Sequence, residues 1–369
     1  MTTPFRADHV GSLLRPQYLL EARFAHEAGG KSREELKALE DRAILDVLKL
    51  QKETGISVLS DGEFRRSTWG DGFLEHLVGL EDDVSGVVQG GRWQGSHAEL
   101  AATTLPGKKV VVDKVRAPEP FTKEEVSFLK AHATGPFKIT LPSPTMFLRL
   151  YIPGQSDAVY GSEDELLEDF VRIYLDEVDW LHEAGVPYIQ LDSLRYINII
   201  GEFEKGAGDR RETQRTLERT IATDNRILSR AKKDGVVRGM HICRGNHRSA
   251  WVGEGSYETV AEALFNLAET DRFLLEYDDE RSGGFEPLRF IPKGKTVVLG
   301  LITSKTGKLE SIEHLRRRVD EAAKFVPMEQ LAISPQCGFA STHLGNLLTE
   351  DEEKKKLELV VEAARVIWS

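Results

Sequence analysis

The chain has 369 residues, 40% hydrophobic and 30% charged, with a formal net charge of -11 at pH 7. That acidic balance speaks against a general nucleic-acid partner, because phosphate binding needs clustered Lys and Arg. No run of about 18 apolar residues is present, which speaks against a membrane-spanning helix.

In chain order, short apolar runs alternate with long amphipathic ones. MTTPFRADHVGSLLRP carries no apolar signal core, so a cytoplasmic protein is expected. Strand-like runs follow at 5–10 (FRADHV), 56–61 (ISVLSD), 137–142 (FKITLP) and 188–192 (YIQLD), then at 236–243 (VVRGMHIC), 273–278 (FLLEYD), 296–303 (TVVLGLIT) and 331–337 (LAISPQC). Helical patterns occupy 34–53, 163–184, 211–233, 257–268, 312–325 and 351–367. Ser162 and Ser311 stand where N-caps belong. Arg316-Arg317-Arg318, a three-residue basic run, falls on one of these helices and reads as a solvated face.

Eight strands alternating with helices predict a parallel (β/α)8 barrel, a single domain over residues 1–369. Such a barrel needs about 250 residues, and much of the surplus lies before residue 136. Residues 82–118, with VSGVVQGGRWQGS and then KKVVVDKV, read as an irregular or β-rich insertion in the N-terminal third. Residues 194–215, with Gly201, Gly206 and Gly208, read as a second, loop-rich excursion. Both could cover a pocket. No repeat at solenoid periods is present.

In a barrel, chemistry sits at the carboxyl ends of the strands. Those ends hold Ser12, Glu63, Ser143, Asp192, His241 with Cys243, Glu276, Ser304 and Cys337. Cys243 and Cys337 are the only cysteines, and in a reducing compartment a structural disulfide is not expected. Residues two apart on a strand share a face, so His241 and Cys243 can converge while Ile242 points away. With Glu276 and Cys337 they make a tetrahedral N, S, S, O donor set, which suits zinc. Glu276 is the ligand most easily displaced by a soft substrate sulfur. The alternative is two buried core cysteines and a hydrogen-bonded core histidine. His247, in a polar loop close by, reads as a general acid or as a solvated surface histidine. Asp61 and Asp278 read as acceptors that orient the ligands, and Ser12 could be no more than a cap for the following turn.

Six blocks carry a resemblance: HVGSLLRP (9–16), SDGEF (60–64), YIQLD (188–192), HICRGNHRSAW (241–251), LLEYDDERSG (274–283) and SPQCGF (334–339). In this order they resemble the cobalamin-independent methionine synthases, over most of the chain but weakly between residues 80 and 135. The resemblance implies zinc held by His241, Cys243, Glu276 and Cys337. It also implies a homocysteine pocket built from Val10-Gly11-Ser12, Glu63 and Asp192. An ammonium group wants carboxylates, and a carboxylate wants N–H and hydroxyl donors, which these residues offer. The alternative for Glu63 and Asp192 is a rim salt bridge to Arg65 or Arg195.

The chain departs from the family's long members in three ways. It has one barrel where they have two. Asp192 continues as Ser193-Leu194 where they read D-E-P. The residues that hold a polyglutamylated folate have no match, and FKITLPSPTMF corresponds only loosely to the segment at their pterin pocket. The expected reaction is methyl transfer to a thiol, homocysteine foremost, from 5-methyltetrahydrofolate or another carrier. The alternatives are a thiol–epoxide transferase with the same centre, or a structural zinc. A homo-oligomer is compatible with the sequence.

Overall fold

The computed structural model describes residues 5–83, 93–103, 109–206 and 209–369. Its centre is a six-stranded parallel sheet in sequence order. An antiparallel pair, β1 (Val78–Asp82) and β2 (Lys109–Arg116), comes first in the chain. The sheet follows as β3 (Lys138–Pro142), β4 (Tyr188–Ser193), β5 (Val237–Ile242), β6 (Arg272–Glu276), β7 (Thr296–Ile302) and β8 (Leu331–Pro335). Every residue of these six strands except Val237 is buried. Covered on both faces, they read as near-continuous apolar runs rather than as an alternation. Helices supply the crossovers: Glu163–Ala184 before β4, Arg195–Lys205 and Arg210–Arg230 before β5, Glu258–Leu267 before β6, and Ile312–Ala322 before β8. The predicted caps are in place, with Ser162 accepting from Glu165 N at 3.3 Å and Ser311 from His314 N at 3.2 Å.

The first two expected strands take a different form. Ala7 makes one parallel bridge to Ile333 of β8, and Leu59 makes one to Phe137 beside β3. Asp8 N donates to Ile333 O at 3.0 Å, Lys138 N to Leu59 O at 2.8 Å, and Ser57 N to Ala7 O at 3.4 Å. Neither segment extends into a regular ladder, because side chains satisfy its backbone groups instead. Asp8 accepts from His9 N (2.8 Å), His9 Nε2 meets Val58 O (2.9 Å), Gln51 accepts from Ser60 N (2.9 Å), and Ser60 Oγ donates to Gly11 O (2.6 Å).

Where a loop-rich excursion was expected at 194–215, the described residues form the helix Arg195–Lys205 and the start of the helix Arg210–Arg230. Tyr196, Ile197, Ile199 and Ile200 are all buried on the helix Arg195–Lys205. One interior glycine costs about 1 kcal/mol in a helix, less than those four side chains return on burial. Gly206 ends the helix at φ 59°, while Gly208 lies outside the described residues. Within 82–118, β2 and a short helix, Ala98–Thr103, are described; the run VSGVVQGG lies outside. The helix Gln17–Glu27 has no counterpart in the predicted elements, since only Leu19, Ala22 and Arg23 of it are buried and its apolar stripe is thin.

Strand alternation puts a buried polar knot on one face of the sheet. Lys138 Nζ donates to Asp8 Oδ1 at 2.7 Å and Gln190 Oε1 at 2.9 Å, and Arg272 lies 3.3 Å from Asp8 Oδ2. The knot ties the 5–10 segment to β3, β4 and β6. A second long-range tie joins the last helix, Glu350–Ile367, to the start of the chain: Glu353 Oε1 accepts from Leu14 N at 2.9 Å. Burial pushes this carboxyl up to about 8, and the nearby Glu350 charge adds to the shift.

A raised folded-state value means that the native chain holds this proton more tightly than the unfolded one. Stability is therefore present in full below the ordinary glutamate range and falls as pH climbs from there to about 8. Glu353→Gln keeps an acceptor and removes the ionisation. It is expected to raise the melting temperature near pH 7.5 by about 2–4 °C or more, with no gain at pH 4. Equal melting curves for the two chains across that pH range would remove the effect.

Candidate metal centre and its pocket

Parallel pairing brings the donor residues to one edge of the sheet. Asp192 on β4 lies opposite His241 on β5, and Cys243 follows at once, its N–H bonded to Ser193 O at 3.0 Å. Glu276 is the last residue of β6, and Cys337 sits two residues beyond β8. The donor atoms of His241, Cys243, Glu276 and Cys337 all lie within 4.8 Å of one another, and all four residues are buried. Ile242 points into the core as strand alternation requires.

His241 Nδ1 faces Leu274 O at 3.2 Å, so its proton belongs there and Nε2 is left facing Cys337 Sγ at 3.5 Å. Cys243 and Cys337 are free thiols with Sγ atoms 3.5 Å apart. Glu276 Oε1 accepts from Arg244 N at 2.6 Å, while Oε2 lies 3.5 Å from Arg281. Packed this closely, the groups set one another's protonation. Hydrogen bonding to Cys337 and burial raise Cys243, whereas the bonds from Cys243 and His241 lower Cys337. Burial works against the His241 cation, yet Cys337 beside it brings the imidazole up to about 9. One imidazole, two sulfurs and a carboxylate oxygen at these separations fit a tetrahedral ion with bonds of about 2.0–2.3 Å, a set suited to zinc rather than to a hard cation.

His241, Cys243 and Cys337 form the floor of a cavity of about 670 Å³ that Ser12, Glu63 and Asp192 also line, and Glu276 stands behind them. Glu63 has φ 60°, a strained value for a non-glycine residue, directly after Gly62 at 71°. Asp61 Oδ1 accepts from Glu63 N at 2.9 Å, so Asp61 shapes this turn rather than orienting a metal ligand. Glu63 Oε1 accepts from Thr140 Oγ1 at 2.8 Å, and Oε2 has no partner among the described residues. The arginine facing Glu63 is Arg66, at 3.8 Å, not Arg65, which pairs with Asp41. Asp192 takes its hydrogen bond from Gln190 at 2.8 Å rather than from Arg195. Burial, with the Glu63 charge adding, raises Asp192 to about 7.

Val10 O is occupied by Gln190 Nε2 at 2.6 Å, and its side chain packs on Leu274, Val298 and Ala332. Gly11 has φ 140°, and a Cβ there would meet Thr140 Cγ2 at 2.8 Å. Ser12 caps no helix, since the nearest begins at Gln17 after Pro16. Asp278 binds Arg281 at 2.6 Å and so holds the arginine beside Glu276. Ser143 and Ser304 are buried and face inward to Asp224 and Gln336.

His247 is neither solvated nor on a surface loop. It is buried on the cavity wall, with Nδ1 2.8 Å from Thr342 Oγ1 and its ring 5.6 Å from Trp93. Several wall residues carried no strand-end signal. Asn246 lies inside the histidine block but was not singled out, and Ser341 and Thr342 stand several residues beyond β8.

The family model for the catalytic domain of the cobalamin-independent synthases matches residues 6–366. The uncharacterized protein YxjH of Bacillus subtilis (strain 168) is 39% identical over 374 residues, covering 99% of this chain and 95% of that protein. The methionine synthase of Pyrococcus abyssi (strain GE5 / Orsay) is 23% identical over 361 residues, covering 97% and 91%. Among solved structures, a Listeria monocytogenes protein assigned as a vitamin-B12-independent methionine synthase superposes with TM-score 0.74 at 29% identity, covering 100% of this chain and 99% of that one. A B12-independent methionine synthase from Shewanella sp. W3-18-1, in complex with selenomethionine, has the same fold, with TM-score 0.74 at 23% identity over 99% and 98% of the two chains.

The purified chain is expected to hold about one divalent ion, dependent on both thiols. Cys243→Ser and Cys337→Ser should each lose most of the metal while the circular dichroism spectrum stays native, because the hydrophobic core does not rest on the strand ends. Full occupancy in both variants, by elemental analysis, would rule the cluster out.

Proposed function

The chain belongs to the cobalamin-independent methionine synthase family, a family of methyltransferases, and from that membership and the buried four-donor cluster we propose zinc-dependent methyl transfer to the sulfur of homocysteine. The observation that carries the proposal is the convergence of His241, Cys243, Glu276 and Cys337 within 4.8 Å, with the first two and Cys337 lining a cavity that Glu63 and Asp192 also line. Zinc held by these four residues would supply the Lewis acidity that lowers the thiol pKa and keeps the sulfur nucleophilic at neutral pH.

The rest is the work of this chain's own side chains. Glu63 and Asp192 grip the substrate ammonium; the partnerless Oε2 of Glu63, buried and on the cavity wall, supports that role. Ser12 and the N–H groups of the Val10-Gly11-Ser12 turn receive the substrate carboxylate. Together these contacts aim the sulfur at the metal and leave the wider part of the cavity to the methyl donor. His247, buried beside that space, passes a proton to the donor's departing atom when the donor is 5-methyltetrahydrofolate or a similar amine.

The scaffold we infer is a single (β/α)8 barrel over residues 1–369, with an insertion at 82–118. The parallel bridges of Ala7 to β8 and of Leu59 to the start of β3 support closure. No helix among the described residues is long and apolar enough to cross a membrane, and a cytoplasmic enzyme acting on small molecules is the corresponding proposal.

Two measurements test the function. Glu63→Gln or Asp192→Asn should weaken homocysteine far more than an equally long thiol without the amino group. A lost charge-assisted hydrogen bond is worth about 1.5–3 kcal/mol, roughly tenfold to hundredfold in affinity. Equal losses for both thiols would point instead to a thiol–epoxide transferase that ignores the amino group. In zinc-edge X-ray absorption, saturating homocysteine is expected to raise the sulfur count around zinc from two to three, as the softer ligand displaces Glu276. A count that stays at two would make the zinc structural.

A further inference from the structure

The ligand set raises a problem of charge that the four donors do not solve among themselves. Two thiolates and a carboxylate bring three negative charges to a divalent ion, and a substrate thiolate adds another. His241, Cys243, Glu276 and Cys337 are each buried, so little water screens this charge. A net charge in such surroundings is costly unless an opposite charge stands close by.

Three cationic side chains stand around the cluster. Arg244, next to Cys243 in the chain, is buried, but its guanidinium turns to Gly255 O at 2.8 Å and to the face of the Tyr257 ring. Arg281 lies 3.5 Å from Glu276 Oε2, but its charge is shared with Asp278 at 2.6 Å and with Asp279. Lys305, on the loop after β7, is different. It is buried, and Nζ donates to Asn246 Oδ1 at 2.9 Å. Among the described residues no carboxylate oxygen lies within 4.0 Å of it. A buried ammonium satisfied only by a neutral amide is itself expensive. Its place becomes intelligible when the neighbouring cluster is anionic.

The contacts run from the lysine toward Cys337. Asn246 Nδ2 donates to Gly338 O at 2.7 Å and to Ser341 Oγ at 3.2 Å, and Ser341 Oγ lies 4.0 Å from Cys337 Sγ. Asn346 Nδ2 gives Asn246 Oδ1 a second donor at 2.9 Å. Asn246 and Ser341 reach the cavity wall, and Lys305 stands behind them.

We propose that Lys305, held in place by Asn246, is the fixed positive charge that offsets the anionic metal centre and lets it accept a further thiolate. It is a positioning residue that acts through the ligands and does not touch the substrate. The inference rests on the reading of the cluster as a metal site.

The test is chelator competition for zinc on the full chain carrying Lys305→Gln, Lys305→Met or Lys305→Arg. Lys305→Gln keeps a donor for Asn246 and drops the charge, so it and Lys305→Met are expected to lose about tenfold or more in zinc affinity, while Lys305→Arg recovers most of it. The loss should shrink in a Glu276→Gln background, whose ligand set carries one negative charge fewer; a role in packing alone predicts no such shrinkage. Wild-type affinity in folded Lys305→Gln, or an equal loss in both backgrounds, would overturn the inference. If the unaltered chain holds no zinc, the metal reading itself fails, and the two failures are thereby told apart.

Discussion

Parallel pairing in sequence order sends every strand's carboxyl end to the same edge, and the functional residues depend on that constraint. Asp192 and His241 are neighbours because β4 and β5 run the same way in register. Glu276 and Cys337, distant in sequence, arrive beside them through the same rule applied to β6 and β8. The core therefore does the positioning, and the first residues beyond β5 and β8 carry the two thiols into the cluster that the strand ends set up. The helical crossovers are the other half of this constraint, since each returns the chain to the amino edge and covers the apolar strands it connects.

The loops are tied together by buried arginines. Arg15 donates to Arg66 O at 3.0 Å and Ala340 O at 3.1 Å, and also to Glu63 O, so it joins three strand-end loops. Arg66 is held by Glu125 through two bonds of 2.6 Å and reaches Thr140 Oγ1 at 3.0 Å, the same hydroxyl that donates to Glu63. Paired guanidinium groups of this kind fix orientation through their forked geometry. The strained backbone at Glu63 persists because these contacts leave it no alternative.

How much of this was legible in the sequence follows from the range of each interaction. His241, Cys243, Glu276 and Cys337 could be singled out because their chemistry is rare and strand alternation is a local rule. The choice of Arg66 over Arg65 could not, since two successive positive φ values at Gly62 and Glu63 break the alternation on which a facing argument relies. The burial of His247 depends on Thr342, which is 95 residues away, and no local pattern encodes that contact. Residues 194–215 misled for the opposite reason. Three glycines are a strong local signal for a loop, but four apolar side chains facing the core outweigh it. At 5–10 and 56–61 the apolar pattern is genuine, yet Gln51, Ser60, His9 and Asp8 take the backbone groups that a longer ladder would have used.

The packing around Ser12 has a consequence for anyone reshaping this catalyst. A methyl group added at Gly338 would fall 1.9 Å from Ser12 Oγ, and one at Gly11 would press on Thr140 and, at 3.2 Å, on Glu63 Oε1. The floor of the cavity is thus closed to stepwise redesign, because even the smallest enlargement displaces a group that faces the cavity. Altered acceptance of new molecules has to be sought elsewhere on the cavity wall, as at Trp69 or Leu194, whose side chains also line it.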